Sequence, residues 1–208
     1  MKLLVIGATG PTGRELVSQA ISLGHTVTAA VRNPDSANLS STVRIVKADI
    51  TDQASLATAV AGQDVVISSL GTKLSHQPTT LLSEGTRKLV DAMQQAAVRR
   101  FICITGVGAG DSKGHGGFFY DRILNPLLLS EIYKDKDRQE TVVRDSGLDW
   151  TLVRPGTLTN GATTNRVKAL TDLTGITMGK VSRADVAAYI LAHLDDPQSI
   201  GSTINLTY

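Results

Sequence analysis

The chain has 208 residues, enough to bury one hydrophobic core of ordinary size, and 21 Lys and Arg stand against 19 Asp and Glu for a formal charge of +2. The two signs are interspersed, which argues against a nucleic-acid surface, and no segment approaches the roughly 18 apolar residues of a membrane-spanning helix. Cys103 is the only cysteine, so an internal disulfide is excluded; with only a short run at the start, no signal peptide is expected, and a reducing, cytoplasmic setting follows.

Taken in chain order, LLVI (3–6) reads as a first strand, and a helix follows from near Thr12 to Gly24 with Leu16, Ala20 and Leu23 as its apolar stripe. TVTAAV (26–31) and VRIVKA (43–48) are the next strands, and Thr51 or Asp52 caps a helix before DVVISS (64–69). Pro78 to Ala97 reads as a long amphipathic helix, RFICIT (100–105) as a fifth strand holding Cys103 as a buried thiol, and Asp137 to Ser146 as the end of another helix. DWTLVR (149–154) and STINLT (202–207) complete the strands. Ser182 and Asp185 form a capping box that opens a helix through Val186, Ile190 and Leu194 and stops before Pro197. Several strands are apolar on both faces, as a doubly covered parallel sheet requires. The expected fold is therefore α/β, a doubly wound parallel sheet in three α/β/α layers, as one domain over 1–208. A small substrate lobe is expected from loops 106–133 and 155–180. Within it GVGAGDSKGHGG (106–117) reads either as a lid after a strand's carboxyl end or as a disordered loop.

Between the first strand and its helix stands GATGPTG, with Gly7, Gly10 and Gly13 spaced three apart. Glycines at a strand-to-helix turn let backbone approach a pyrophosphate, whose charge the helix N-terminus attracts. The P-loop alternative needs Lys and Ser or Thr after the last glycine, and this chain has Arg14 and Glu15. A dinucleotide-binding, Rossmann-type domain is expected. Arg32 ends the second strand, 25 residues after Gly7, where a site for the unphosphorylated cofactor places a carboxylate. A guanidinium attracts a 2′-phosphate, so NADPH/NADP+ is the expected cofactor. Asp49 reads equally as an acceptor for the adenine amino group and as a turn residue. The four histidines show no metal-ligand spacing, and no metal is expected.

With GATGPTG, Arg32 and GLDWTLVRPGTLT (147–159), the chain resembles atypical short-chain dehydrogenase/reductases of the NAD(P)H-binding, NmrA-like group. VTAAVR, AGQDVVISSLGTK and PTTLLSEGTRKLVDAM resemble its biliverdin IXβ and NADPH-dependent flavin reductase subgroup. That resemblance implies that Gly7, Thr9, Gly10, Thr12, Gly13 and Arg32 hold the cofactor phosphates, with Pro11, Asp49 and Ile50 among its contacts. It implies that Leu70, Gly71 and Thr72 line the nicotinamide ribose, that Pro155 closes the pocket, and that the protein is a monomer acting on a small-molecule acceptor.

The departures bear on mechanism. The dehydrogenase Tyr-x-x-x-Lys pair is missing: Tyr120 is followed four positions on by Leu124 and Tyr133 by Asp137, while Lys136 lies three from Tyr133. YKDKDRQE is read chiefly as a solvated charged face, with Tyr133 and Lys136 kept as catalytic candidates. Where the subgroup has a serine after the fifth strand's threonine, this chain has Thr105-Gly106, leaving Thr105 as the nearest catalytic hydroxyl and a cofactor neighbour. Lys73 is a candidate for the cofactor or an anionic acceptor; Phe118, Phe119 and Tyr120 are either a stacking surface or packing residues; His115 is a minor candidate proton donor. The expected activity is NADPH-dependent hydride transfer to a flat conjugated acceptor such as a flavin, quinone or tetrapyrrole. Two alternatives stay open: a non-catalytic NADP(H) sensor, and a small carbonyl reductase or epimerase using Tyr133 and Lys136.

Overall fold

The run KLLVI forms β1 (Lys2–Ile6) inside an eight-stranded sheet in the computed structural model, which describes residues 1–72, 77–117 and 129–208. On one side lie β2 (Thr26–Val31) and then β3 (Arg44–Lys47); on the other lie β4 (Val65–Ser68), β5 (Arg100–Ile104) and β6 (Asp149–Pro155), all parallel. The chain then makes an excursion through β7 (Thr157–Thr159), β8 (Lys168–Leu170) and β9 (Lys180–Ser182) before β10 (Ser202–Thr207) pairs in parallel with β6. The order β3-β2-β1-β4-β5-β6-β10-β8 reverses between β1 and β4. Loops leaving those two strands diverge there and open a crevice at the strands' carboxyl ends.

Alternation of side chains sorts the apolar strands into two cores. Leu3, Val5, Ile67 and Ile102 face α1 (Pro11–Ser22) and α5 (Arg183–Ala192), which contribute Leu16, Val17, Ala20, Val186 and Ile190. Leu4, Ile6, Val66, Phe101 and Leu152 face α2 (Gln53–Val60), α3 (Leu81–Gln95) and α4 (Ser130–Arg144), which contribute Leu56, Val60, Leu89, Met93 and Val143. The result is the three-layer arrangement expected from the strand pattern. No helix among the described residues is long and apolar enough to cross a membrane.

Four local expectations are corrected. Leu23 is no part of an apolar stripe: it is the C-cap of α1 and 62% exposed, because Gly24 (φ +78) turns the chain away. The sheet is not wholly parallel, since β8 runs antiparallel along β10, and 155–180 is no plain loop, since β7 and β9 form a two-stranded parallel ribbon. Strands of three residues leave no readable period and exist only through their partners. Finally YKDKDRQE is not a solvated face: α4 begins at Ser130, and Tyr133, Asp135, Gln139 and Glu140 are buried.

Asp135 explains part of that burial. Thr80 makes no side-chain cap for α3, and the Asp135 carboxylate does so from the neighbouring helix, accepting from Leu82 N at 2.8 Å, Ser83 N at 3.3 Å and the Ser83 hydroxyl. By contrast α2 is capped locally, Asp52 accepting from Ala54 N at 3.1 Å.

A second buried carboxylate closes the other end of the molecule. Asp185 accepts from Thr164 N and Oγ1 (both 2.9 Å), Asn165 N (3.2 Å), Ser182 Oγ (3.0 Å) and the Tyr208 hydroxyl (2.7 Å). Burial alone raises its carboxyl pKa, but the hydrogen bonds from Tyr208, Thr164 and Ser182 outweigh burial and hold it below the usual value. A depressed folded-state pKa contributes stability that is full above the unfolded-state value near 3.9 and is lost as pH falls through the folded-state value. Asp185→Asn is therefore expected to cost about 1–3 kcal/mol at pH 7 and progressively less below about pH 4. Urea midpoints of both proteins across that range read the difference; a constant gap counts against it.

Candidate active site

The turn after β1 is built by two backbone approaches that exclude side chains. Gly7 has φ +78, and a Cβ there lies 2.7 Å from Ser69 O of the β4 loop; a Cβ on Gly13 runs into Gly7 O. Gly10 donates to Gly7 O at 3.0 Å and caps α1 without a side-chain bond, and Pro11 follows at the first helical position. The first intrahelical bond here runs from Arg14 N to Gly10 O at 2.9 Å, so the Thr12 and Gly13 amides have no intrahelical acceptor. The first turn carries no acidic residue, and an anion fits there.

The turn floors a cleft of about 730 Å³ at the sheet's switch point, within the range of cofactor sites. Gly7, Thr9, Gly10, Pro11 and Thr12 line its middle; Arg32, Asp49 and Ile50 line one end; Leu70, Gly71, Thr72, Thr105 and Lys136 line the other. Gly13 and Pro155 do not line it. Gly13 lies beneath the turn, where it lets α1 close on Gly7, and Pro155 is buried in β6 with its carbonyl accepting from Val107 N at 3.1 Å. Lys73, Phe118, Phe119 and Tyr120 lie outside the described residues. Ser69, Leu158 and Arg183 line the cleft without having been singled out in the sequence. Leu158 stands in the quoted GTLT stretch and Arg183 follows the Ser182 cap, but nothing local aims either at β1.

Arg32 is exposed at the cleft mouth and makes no hydrogen bond or ion pair with the described residues. Asp49 Oδ1 accepts from Thr51 N at 2.8 Å and Thr51 Oγ1 at 2.7 Å, and these bonds, with Arg32 and Lys88 adding their charge, hold its carboxyl below the usual value. Asp49 is thus a turn residue whose other oxygen makes no hydrogen bond among the described residues, so both readings of it are compatible.

At the opposite end, Lys136 Nζ donates to Thr105 O at 2.6 Å and lies 5.3 Å from the centre of the Tyr133 ring. Both groups crowd Gly106: a Cβ there stands 3.0 Å from Lys136 Nζ and 3.5 Å from the Tyr133 hydroxyl. Burial pushes the Lys136 ammonium down to about 8, against the opposing charge of Glu140. The Thr105 hydroxyl is committed elsewhere, donating to Glu140 Oε1 at 2.8 Å. Glu140 also accepts from Arg154 Nε at 2.8 Å and from Nη2, and Arg154 Nη1 pairs with Asp111. Cys103 is buried, and burial raises its thiol to about 12, so it carries no nucleophilic role.

The glycine loop 106–117 is tethered along its length. Gly110 N donates to Asp137 Oδ1 at 2.8 Å, Gly108 N to Ser112 Oγ at 2.9 Å, and Met178 N to His115 O at 2.7 Å. Val107 packs with Leu173 and Met178, joining the loop to the 155–180 excursion. The His115 ring bonds Ile176 O at 2.8 Å rather than facing the cleft lining. Among the described residues no group of three or more His, Cys, Asp or Glu is arranged to hold a metal ion.

A sheet reversing between β1 and β4, with a glycine turn feeding a helix N-terminus inside a cleft of this size, defines the class of Rossmann-type dinucleotide-binding proteins. A family model described as NAD(P)H-binding matches residues 7–197, and the chain belongs to that family. It is 30% identical over its whole length to the uncharacterized sugar epimerase YhfK of Bacillus subtilis, spanning 94% of that protein. Among solved structures it is 27% identical, with TM-score 0.80, to a putative NAD-dependent epimerase/dehydratase of Bacillus halodurans, covering all of this chain and 94% of that one. ChuY of Escherichia coli O157:H7, an anaerobilin reductase, shares the fold at TM-score 0.84 and 24% identity, covering all of this chain and 97% of that one.

Proposed function

We propose that the protein is an NADPH-dependent reductase that delivers hydride to a flat conjugated acceptor such as a flavin, quinone or tetrapyrrole. The observation that carries this reading is that the hydroxyl nearest the expected catalytic place is spent: Thr105 gives its proton to Glu140, and Lys136 is turned onto Thr105 O. Such a site orients and desolvates rather than protonates, which suits an acceptor that takes hydride into an extended π-system. When bound, the dinucleotide supplies the hydride. Gly7, Gly10 and the first turn of α1 are suited to its pyrophosphate, Arg32 to a 2′-phosphate, and Leu70 to Thr72 to its nicotinamide ribose. The loops 106–117 and 155–180, joined through Val107 and Met178, are proposed as the lobe that covers the acceptor. The test is steady NADPH oxidation with FMN, FAD and a quinone. A cofactor-saturated protein that turns over none of them ends this reading in favour of an NADP(H) sensor.

A second reading rests on the pairing of Tyr133 with Lys136 over Gly106: a carbonyl reductase or epimerase in which the phenol carries the proton. The two readings separate on pH. A lysine titrating near 8 makes carbonyl reduction fall as pH rises through that value, whereas flavin reduction is expected to stay flat between about pH 6 and 9. Tyr133→Phe leaves the rate unchanged on the first reading and abolishes it on the second.

A further inference from the structure

Arg183 is placed against the electrostatics of its own helix. It stands in the first turn of α5, where a cation opposes the helix dipole, and it makes no ion pair among the described residues. The carboxylate two positions on, Asp185, is filled by Thr164, Asn165, Ser182 and Tyr208. Among the described residues the guanidinium makes one hydrogen bond, from Nη1 to the neutral amide oxygen Asn160 Oδ1 at 2.7 Å. Strand register sets that contact: Thr159 pairs with Ser182 in the β7–β9 ribbon, so Asn160 and Arg183 leave it side by side. The ribbon is in turn locked by Tyr208, whose hydroxyl accepts from Ser182 N at 3.0 Å and whose amide donates to Lys180 O at 3.1 Å. A pre-organised guanidinium with spare donors therefore lines the cleft.

The charge inventory of the cleft shows what those donors face. Among the described residues its lining holds a single carboxylate, Asp49, at the adenosine end, while Lys136 and Arg183, the latter beside the 155–180 excursion, add two cations. The reduced nicotinamide ring is uncharged, and Lys136 already spends a bond on Thr105 O. We propose that Arg183 recognises an anionic group on the acceptor, so that the preferred acceptors are flat conjugated molecules bearing a phosphate or carboxylate. This assignment rests on the reductase reading for the name of the acceptor and on geometry alone for the anion.

The test is equilibrium binding to the full chain saturated with NADP+, using FMN against riboflavin for phosphate and anthraquinone-2-carboxylate against 2-hydroxymethylanthraquinone for carboxylate. Charge-assisted bonds to a guanidinium predict that at least one anionic member binds about tenfold tighter than its neutral partner. That gap is expected to narrow in 0.5 M salt and to collapse in Arg183→Gln. The wild-type comparison and its salt dependence stand even where the variant folds poorly. Equal affinities within both pairs, or binding of none of the four, overturn the assignment. So does Arg183→Gln weakening NADP+ itself while the discrimination persists, since Arg183 then serves the cofactor pyrophosphate. Preferential binding of the anionic members without any turnover removes the reductase reading and leaves the anion site in place.

Discussion

Arg32→Asp is expected to weaken NADPH binding about 100-fold and leave NADH unchanged or improved, reversing the cofactor preference. The guanidinium lines the cleft at the end of β2 with no carboxylate or carbonyl of the described residues holding it, which leaves its donors to a phosphate on the adenosine ribose. Losing one or two charge-assisted bonds costs about 3 kcal/mol, a factor near 100 in affinity, and an aspartate adds repulsion of the phosphate while accepting from a ribose hydroxyl. Arg32→Lys keeps the charge but loses the fork, so it is expected to retain part of the preference. Fluorescence titration of both reduced cofactors on the three proteins reads the outcome. An unchanged NADPH to NADH ratio in Arg32→Asp removes the case for NADPH.

The largest stability effect is expected at Arg154, which is 1% exposed and bonded to Glu140 through two nitrogens. Arg154→Leu strands a buried carboxylate whose remaining partners are the Thr105 hydroxyl and Arg144 at 3.6 Å. Breaking a buried pair from one side costs about 3–5 kcal/mol, here a fall of roughly 10 °C in Tm. Removing both charges together is expected to recover most of that loss, since the desolvation of Glu140 disappears with its charge. Arg154→Leu with Glu140→Leu is the comparison, and about 1 kcal/mol is left for the orphaned Thr105 hydroxyl. Asp111 adds little, because its side chain is 83% exposed and solvent screens it. Urea denaturation of the two single variants and the double variant forms the cycle. Additive losses in the double variant count against a coupled pair.

The same cluster shows why the catalytic candidates were only partly readable. Thr105 is a plausible hydroxyl from its place after the fifth strand, yet its proton goes to Glu140, a residue 35 positions away on α4. Tyr133 and Lys136 sit in a segment whose composition matches a solvated face, and its burial follows from α4 packing on α3, with Asp135 reaching across to cap the neighbouring helix. Composition counts charges; it does not count the amides waiting to meet them.

The seven longer strands, the helix ends at Gly24 and Ser182 and the glycine turn were determined by the sequence alone, because each is set by a local pattern of residue types. Apolar alternation decides which faces are covered, a left-handed glycine closes a helix, and crowding of Gly13 by Gly7 O and Ala8 admits no side chain. Which charges are buried, which hydroxyls are spent, and that Arg183 lines the same cleft as Arg32 were decided only by the tertiary structure. Burial and hydrogen-bond partnership are relations between elements far apart in the chain, and no local pattern carries them until the sheet order brings β1, β5 and the β7–β9 ribbon around one crevice.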